Sequence, residues 1–270
     1  MTRYAITCAL ASAVVLTVMP AAAQTRPGFE LGATLVDYSY RERDDGRVIV
    51  RDDGTMAGLR LSYVETIGAG MFLRAAYDGA TGEIDYEADD GTRLDNVDQT
   101  IGQLELHLGR DFRLRGGATL TAFAGIGGRA LLDESGGHAS SSGSVGYDRT
   151  VSYAFVPLGL GAGVPLGRTR VQLSAQYNLL FGGSAESELS GVNSELPDLD
   201  LPLRGGHGVE VSGTLAVPMG RREIRFGPAL RHWRLNRSRA RTFTEPEGSI
   251  TFFEPANRTT ELSLRLSLAF

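Results

Sequence analysis

Apolar and polar residues in this chain alternate with a period of two, and this period constrains the fold more than any other feature. Between residues 260 and 270, leucine and phenylalanine occupy one parity, while mostly polar residues occupy the other. The same alternation occurs at 171–181, 103–110 and 209–217. Successive side chains of a β-strand point to opposite faces, so the pattern predicts strands with one apolar and one polar face.

Less regular segments complete a set of ten predicted strands. They lie at about 28–40, 57–67, 70–81, 99–111, 118–131, 150–164, 169–182, 207–218, 222–236 and 257–270. The connections between them alternate in length. Short glycine-containing turns are predicted at 68–70, 112–117, 165–168 and 219–221, and long polar loops at 41–56, 82–98, 132–149, 183–206 and 237–256. This alternation predicts an up-and-down meander with both termini on the short-turn side.

The meander predicts an all-β fold: an antiparallel up-and-down transmembrane β-barrel of about ten strands, with short periplasmic turns and long extracellular loops. A soluble lipocalin-like barrel also alternates, but its apolar face points inward. Three features favour the membrane barrel: short and long connections segregate, the last strand is apolar up to Phe270, and the predicted lumen face is rich in charge.

Aromatic residues fall near both ends of the predicted strands, as the two aromatic girdles of a membrane barrel do. Near the short turns lie Phe29, Phe72, Phe112, Phe226 and Phe270; toward the long loops lie Tyr38, Tyr40, Tyr77, Tyr153, Phe155, Phe181 and Trp233.

The first 23 residues have the layout of a secretory signal peptide. Arg3 precedes an apolar run from Ala5 to Met19, and Ala21 to Ala23 supply small residues before Gln24. The apolar run is shorter than the roughly 20 residues that a spanning helix needs. We therefore expect cleavage after residue 23 and a single barrel domain over 24–270. The only cysteine, Cys8, lies in the signal segment, so no disulfide is expected in the mature chain.

Composition excludes several kinds of chemistry. The chain has no lysine, which excludes a Schiff base or a lysine general base, and its net charge is −5. An acidic chain of this kind gives no indication of nucleic-acid binding. His107 has no second histidine at metal-ligand spacing, so no metal site and no cofactor are predicted.

The signal peptide, the meander and the apolar last strand together resemble the small outer-membrane β-barrel superfamily of bacteria, the OmpA-like and porin-like barrels, over the whole of 24–270. The resemblance implies a place in the bacterial outer membrane, in contact with its lipid and lipopolysaccharide. The alternating end at Leu264, Leu266, Leu268 and Phe270 resembles the signal that the barrel assembly machinery reads during biogenesis.

Charged residues on the polar face of the predicted strands are candidates for the lumen. They are Arg60, Arg74, Glu105, His107, Arg129, Glu210, Arg225, Glu261 and Arg265, with Asp78 and Arg231 beside them. They fit either a salt-bridged packed interior or a charged constriction that selects small solutes. In a pore, Glu105, Arg225, Glu261 and Arg265 would be the lining residues.

A basic cluster surrounds the loop end of the ninth predicted strand. It contains Arg231, Arg234, Arg237 and Arg239 beside Trp233. At that height arginine side chains are suited to lipopolysaccharide phosphates, with which they form charge-assisted hydrogen bonds.

Two sequence fragments bear on catalysis. The chain is similar to omptin-type proteases in size and strand number, but His207 with Asp198 and Asp200 upstream lacks their Asp-x-His motif. His138-Ala139-Ser140 matches the His-x-Ser pair of barrel-type lipid A deacylases, but it lies in a Ser/Gly-rich segment that offers no rigid frame for a nucleophile. No catalytic residue is predicted.

Three hypotheses about function follow. The first is a non-enzymatic barrel, acting as a small passive channel or a structural membrane protein; the sequence leaves its oligomeric state open and slightly favours a monomer. The second is an adhesion or ligand-binding barrel that works through its long loops. The third is a loop-based hydrolase.

Overall fold

The computed structural model describes residues 26–245 and 248–270, and within them the chain forms thirteen β-strands and two short 3-10 turns. The strands are β1 (Gly28–Asp44), β2 (Arg47–Gly68), β3 (Met71–Ala88), β4 (Arg93–Arg113), β5 (Thr119–Glu134), β6 (Arg149–Leu166), β7 (Thr169–Ser187), β8 (Leu199–Leu203), β9 (Gly206–Met219), β10 (Arg222–Leu235), β11 (Arg241–Glu245), β12 (Gly248–Phe252) and β13 (Ala256–Ala269). The predicted signal peptide, 1–23, lies outside the described residues.

Ten of the strands in the described part of the chain close into an antiparallel barrel. The order is β6-β5-β4-β3-β2-β1-β13-β10-β9-β7, and β6 pairs with β7 to complete the ring. The first and last strands are neighbours, with Glu30 opposite Ala269 and Arg43 opposite Ala256. Closure leaves no unpaired barrel edge, which lets strands cross a membrane without exposed backbone donors and acceptors.

The predicted strands agree with the observed ones to within two residues at the short turns, whose side of the barrel we call the turn end. At the opposite side, the hairpin end, the strands run further than predicted. The segments 41–56 and 82–98, predicted as long loops, are mostly strand, and tight connections at Asp45-Gly46 and 89–92 join them.

The difference arises because the alternation of inward and outward side chains continues along the strands beyond the point where the outward residues cease to be apolar. Beyond the lipid-facing part the outward residues become polar while inward ones such as Met56 and Ile84 stay buried. Asp45 and Gly46 both have positive φ, as a tight hairpin turn of this kind requires. The Asp-Asp-Gly triplet at 52–54, a composition that is common in turns, lies inside β2.

The outer face of the barrel carries a continuous apolar band. Leucines such as Leu35, Leu106 and Leu264 are about half exposed, while their sequence neighbours point inward. Exposed apolar area on this scale on an otherwise closed barrel is typical of a lipid-facing surface. No helix in the described part of the chain is long and apolar enough to cross a membrane.

The aromatic residues divide between the two faces of the wall, which corrects the predicted girdles. Outward-facing and exposed are Phe29, Phe112, Phe226, Phe270, Tyr77 and Phe181. Buried in the interior are Tyr38, Tyr40, Phe72, Tyr153, Phe155 and Trp233. The reason is parity: Trp233 is three residues from lipid-facing Leu230 and therefore points the opposite way.

Candidate functional site in the barrel interior

The interior changes character along the barrel axis. On several strands, charged inward residues lie nearer the turn end, and apolar inward residues follow them toward the hairpin end. On β1, Glu30 gives way to Val36 and Tyr38; on β3, Asp78 gives way to Ile84. We call the charged layer the belt and the apolar layer the plug.

The belt is a network of arginines and carboxylates that crosses the lumen. Arg231 on β10 lies 2.8 Å from Glu210 of the neighbouring strand and 3.2 Å from Glu261 of the other neighbour. It also reaches Asp78 on β3, 3.4 Å away, on a different part of the wall. Arg129 on β5 donates to Glu261 on β13, two strands that are not neighbours in the barrel.

Further pairs extend the belt toward the turn end. Arg60 makes two hydrogen bonds to Asp78, at 2.7 and 2.8 Å. Arg265 donates to Glu210 at 2.9 Å and Arg225 to Glu30 at 2.7 Å. Charged groups that are taken out of bulk water are stable only when their partners replace the lost hydration, and this network supplies such partners.

The plug is built around aromatic rings in edge-on contact. Trp233 is 1% exposed, and its ring centroid lies 4.9 Å from those of both Tyr153 and Phe155, in edge-on geometry. Tyr38 and Met56 are equally buried beside them. Aromatic clusters of this kind bury large apolar areas and exclude water.

Glycines opposite the inward rings make the packing possible. Phe155 lies directly across the strand pair from Gly127, and Trp233 lies across from Gly208. A Cβ added at either glycine would overlap the ring. Each ring therefore lies flat against a wall position where only glycine leaves room.

A polar cluster closes the hairpin end above the plug. Arg149 pairs with Glu42 at 2.7 Å and with Glu254, and it donates to the Tyr40 hydroxyl at 3.0 Å. Asp52 is buried beside this cluster, and its Oδ1 has no hydrogen-bond partner among the described residues.

The carboxyl of Asp52 lies beyond the apolar outer band, since its neighbours Arg51 and Asp53 are exposed to solvent. Burial, together with the nearby carboxylates of Asp133 and Glu42, raises the pKa of Asp52 well above its usual range.

A cavity of about 200 Å³ lies on the turn side of the belt. It is lined by belt residues and by Arg74, His107, Phe72 and Phe123. The plug separates it from the hairpin end.

The nine predicted lumen residues all have their side chains on the inner face of the barrel. Glu105, His107, Arg129 and Glu261 are fully buried, and the other five line the cavity. Their role as the lining of a pore stays a prediction.

The predicted lipopolysaccharide cluster is divided by the wall. Arg231 was placed in it wrongly, because its side chain is 6% exposed and is bound to three carboxylates inside the barrel. Arg234, Arg237 and Arg239 are exposed at the hairpin end. In register with Arg234 lie His207 and Arg258 on the neighbouring strands, so the basic surface extends beyond the predicted residues.

The predicted assembly residues Leu264, Leu266, Leu268 and Phe270 alternate on the outer face, and the Phe270 amide donates to the Phe29 carbonyl at 2.9 Å. Their role in assembly remains a prediction.

Sequence reasoning missed several interior residues. Glu30 pairs with Arg225, and Gln176 donates to Glu105 at 2.6 Å across the lumen. Glu30 could have been found from its position between Phe29 and Leu31, whose side chains face the other way. The contact between Gln176 and Glu105 has no signal in the sequence, because the two residues are on distant strands.

Neither of the two sequence fragments that bear on catalysis forms a nucleophile–base pair among the described residues. The Ser140 hydroxyl lies 3.0 Å from that of Ser142, and the His138 side chain is exposed. His207 stacks on Tyr177 at 5.7 Å on the outer wall.

Similarity to known proteins is confined to structure. No protein-family model matches the chain, and no curated protein matches it. The outer membrane protease OmpT from Escherichia coli has a TM-score of 0.54 at 10% identity, covering 91% of this chain and 98% of its own.

Two further structures are less similar. The transport unit of the autotransporter AIDA-I from Escherichia coli has a TM-score of 0.46 at 7% identity, with 93% of each chain covered. Ail of Yersinia pestis has a TM-score of 0.32 at 13% identity, covering 89% of this chain and 99% of its own. At these identities the similarity concerns the fold alone, and the two lower scores carry no argument. The closed antiparallel barrel and the likeness to OmpT together give this chain the fold of the small bacterial outer-membrane β-barrels.

Proposed function

We propose that this chain is a structural outer-membrane protein: a non-enzymatic barrel that is closed to passive diffusion. One observation carries the proposal, namely that two layers of different chemistry occupy the interior in succession. A solute from the turn end would first meet the belt and then the plug, where Trp233, Tyr153 and Phe155 are buried.

The number of strands supports a closed barrel over the passive channel. Barrels of about eight strands have interiors that side chains can fill, whereas porins with an aqueous channel have 16–18 strands. In this barrel, arginines and carboxylates bridge non-neighbouring strands, and rings lie on opposing glycines. The ion pairs and the packed rings together occupy the space that a channel would need.

Solute uptake by proteoliposomes tests this proposal. Vesicles that contain the refolded wild type should swell in isosmotic glycerol or sugar no faster than empty vesicles. Vesicles that contain Trp233→Ala, with folding verified by heat-modifiable gel migration, serve as the control for a weakened plug. Rapid swelling with the wild type would support the passive channel instead.

The proposal includes an orientation and a lipid partner. With the turn end in the periplasm, the exposed basic surface around Arg234 lies at the outer leaflet. Arg234, Arg258 and His207 are in register across three strands, so the two arginines lie side by side on the outer wall with the imidazole next to Arg234. Lipopolysaccharide phosphates are the anions expected at that height, and arginine binds phosphate through charge-assisted hydrogen bonds.

Stability in two kinds of bilayer tests the lipid partner. Lipopolysaccharide should stabilise the wild type more than it stabilises Arg234→Gln, relative to phospholipid alone. Arg222→Gln is the matched control, since Arg222 is an exposed arginine at the other end of the same strand. Equal stabilisation of all three proteins would contradict the assignment.

A second candidate function is binding of a partner at the hairpin end. One observation favours it: the connection at 135–148 is hydrogen-bonded to the β3–β4 hairpin. The Ser141 amide donates to the Arg93 carbonyl, and the Arg93 amide donates to Ser141 Oγ, both at 2.9 Å. These contacts build a supported surface instead of free loops. Cells that display a barrel with 83–98 shortened to a tight turn should adhere less than cells that display the wild type.

Hydrolase activity is the least supported alternative. A nucleophile needs a base within hydrogen-bond reach on a rigid frame, and the exposed His138 supplies none for Ser140. Peptide cleavage or lipid A deacylation by the wild type that His138→Ala or His207→Ala abolishes would overturn the non-enzymatic assignment.

A further inference from the structure

The cavity on the turn side of the belt contains polar groups that the belt does not use. Arg60, Arg225 and Arg265 line it, and each is already paired with a carboxylate. Arg74 also lines it, but no carboxylate of the described residues lies within 4 Å of its guanidinium. Its buried Nε atom has no hydrogen-bond partner.

His107 is the direct neighbour of Arg74. The two residues are opposite each other in the β3–β4 ladder, so both side chains enter the cavity at the same height. His107 is 2% exposed, and neither of its ring nitrogens makes a hydrogen bond with the described protein. A buried donor without a partner costs free energy, so two such groups side by side indicate a place where a ligand supplies the missing acceptor.

The nearest carboxylate does not fill this role. Glu105 Oε2 lies 3.5 Å from His107 Nε2 without forming a hydrogen bond. Glu105 accepts from Gln103 Nε2 at 3.0 Å and from Gln176 Nε2 at 2.6 Å, both through Oε1. Two amide donors therefore hold Glu105, and the guanidinium of Arg74 remains available.

An aromatic surface adjoins the unpaired donors. The ring of Phe123 lies 4.9 Å from the His107 ring and 5.8 Å from the Arg74 guanidinium carbon. A Cβ on Gly159, directly opposite Phe123, would overlap its ring, so glycine at this position lets the ring lie against the wall. Phe72 lies across from Gly109 in the same way. The cavity thus has an apolar wall beside a cationic group.

We propose that this cavity is a binding site for a small organic anion, a carboxylate that carries one apolar group. Arg74 binds the carboxylate, His107 donates an N–H to it, and Phe123 contacts the apolar group. An engineered apolar cavity of about 150 Å³ is large enough to hold benzene. A cavity of about 200 Å³ therefore fits a single aromatic ring with its carboxylate. The site opens toward the turn end, because the plug closes the other side.

Ligand-observed fluorine NMR tests the proposal on the refolded barrel in detergent micelles. The probe is 4-fluorobenzoate, and 4-fluorobenzyl alcohol is the uncharged control of nearly the same shape, which also reports partition into the micelle. The wild type should bind the benzoate saturably and the alcohol at least about tenfold more weakly, because a hydrogen bond to a charged group is lost.

Variants locate the site. Arg74→Gln should weaken benzoate binding by about tenfold or more, while Arg74→Lys should keep part of the affinity. Arg110→Gln is the matched control: Arg110 lies over the ring of Phe112 at 5.4 Å near the same end of the barrel, but on the outer face. Its benzoate affinity should equal that of the wild type. Heat-modifiable migration verifies the folding of each variant.

Three results would overturn the proposal: no saturable binding to folded wild type, equal affinity for the benzoate and the alcohol, or unchanged benzoate affinity in folded Arg74→Gln. If Arg74→Gln fails to fold, Arg74→Lys takes its place in the experiment. Lysine presents a point charge instead of the planar guanidinium fork, so a lower benzoate affinity in this variant would still assign binding to position 74.

Discussion

The two halves of the barrel interior solve the same packing problem with opposite chemistry. Toward the turn end, arginines and carboxylates pair across the lumen and leave a cavity beside them. Toward the hairpin end, aromatic rings pack on glycines, as Phe72 and Phe123 also do beside the cavity, but here the rings contact one another as well. The polar half is bound by directional pairs and the apolar half by shape.

The difference explains why one half has room for a ligand and the other does not. An ion pair fixes its partners at hydrogen-bond distance and leaves irregular space around them. Rings have no such constraint and fill the available volume, so that Trp233, Tyr38 and Phe155 are almost completely buried. Binding is therefore expected in the charged half and closure in the aromatic half.

The largest expected effect comes from breaking the belt at its most connected residue. Arg231→Met removes the cation shared by Glu210, Glu261 and Asp78, and we expect a loss of about 3 kcal/mol in the free energy of unfolding. This loss lies at the low end of the range expected for breaking a buried ion pair, because each of the three carboxylates keeps a second arginine partner. Urea titration in lipid, read by the fluorescence of the single tryptophan Trp233, measures it.

Arg234→Met is the matched control for that experiment. It makes the same substitution on the same strand, but on the exposed outer wall, and should change the free energy of unfolding by less than about 0.5 kcal/mol. Equal losses in both variants would show that the belt contributes nothing beyond a surface charge.

A smaller effect is expected from overpacking the plug. Gly127→Ala places a methyl group in the ring of Phe155, and we expect a loss of about 1–3 kcal/mol in the free energy of unfolding. Gly128→Ala, one residue away, meets no atom within 4 Å and should be close to neutral. If the two alanine variants unfold at the same urea concentration, shape does not determine packing in the apolar half.

The smallest effect concerns the unpaired carboxylate above the plug. Because the folded-state pKa of Asp52 is raised, its contribution to stability is present below the unfolded pKa and is lost as pH rises through the folded value. Asp52→Asn should therefore be more stable than the wild type at pH 7, by about 1 kcal/mol, with the difference shrinking toward pH 4.

Urea titrations of both proteins between pH 4 and pH 8 measure this difference. A wild type that gains stability relative to Asp52→Asn as pH rises would contradict the raised pKa.

The fold was predictable because the alternation encodes it directly. The strands of the barrel, their order and the turn-end connections follow from a period of two and from the spacing of glycines. The hairpin end was predicted less well. There the outward residues are polar, so 41–56 and 82–98 resemble loops although the inward residues Met56 and Ile84 continue the strand period.

Interior residues could be predicted only where the alternation of inward and outward positions along each strand was taken into account. Arg60 and Glu105 follow from their positions between lipid-facing leucines, and Glu261 follows from its alternation with Leu262 and Leu264. Trp233 and Phe155 were assigned to a girdle from their height alone, and parity places them inside. Partners across the lumen, such as Arg129 with Glu261, depend on how the sheet closes, and a single sequence carries no signal for that.

Closure of the interior by the plug is the central claim, and single-channel conductance in a planar bilayer tests it most directly. The refolded wild type should be silent, with folding established by heat-modifiable migration. The double variant Tyr153→Ala/Trp233→Ala removes the edge-on rings and should give discrete conductance steps through the remaining polar interior. Steady open steps from the wild type, of the same size as those from the double variant, would contradict the account.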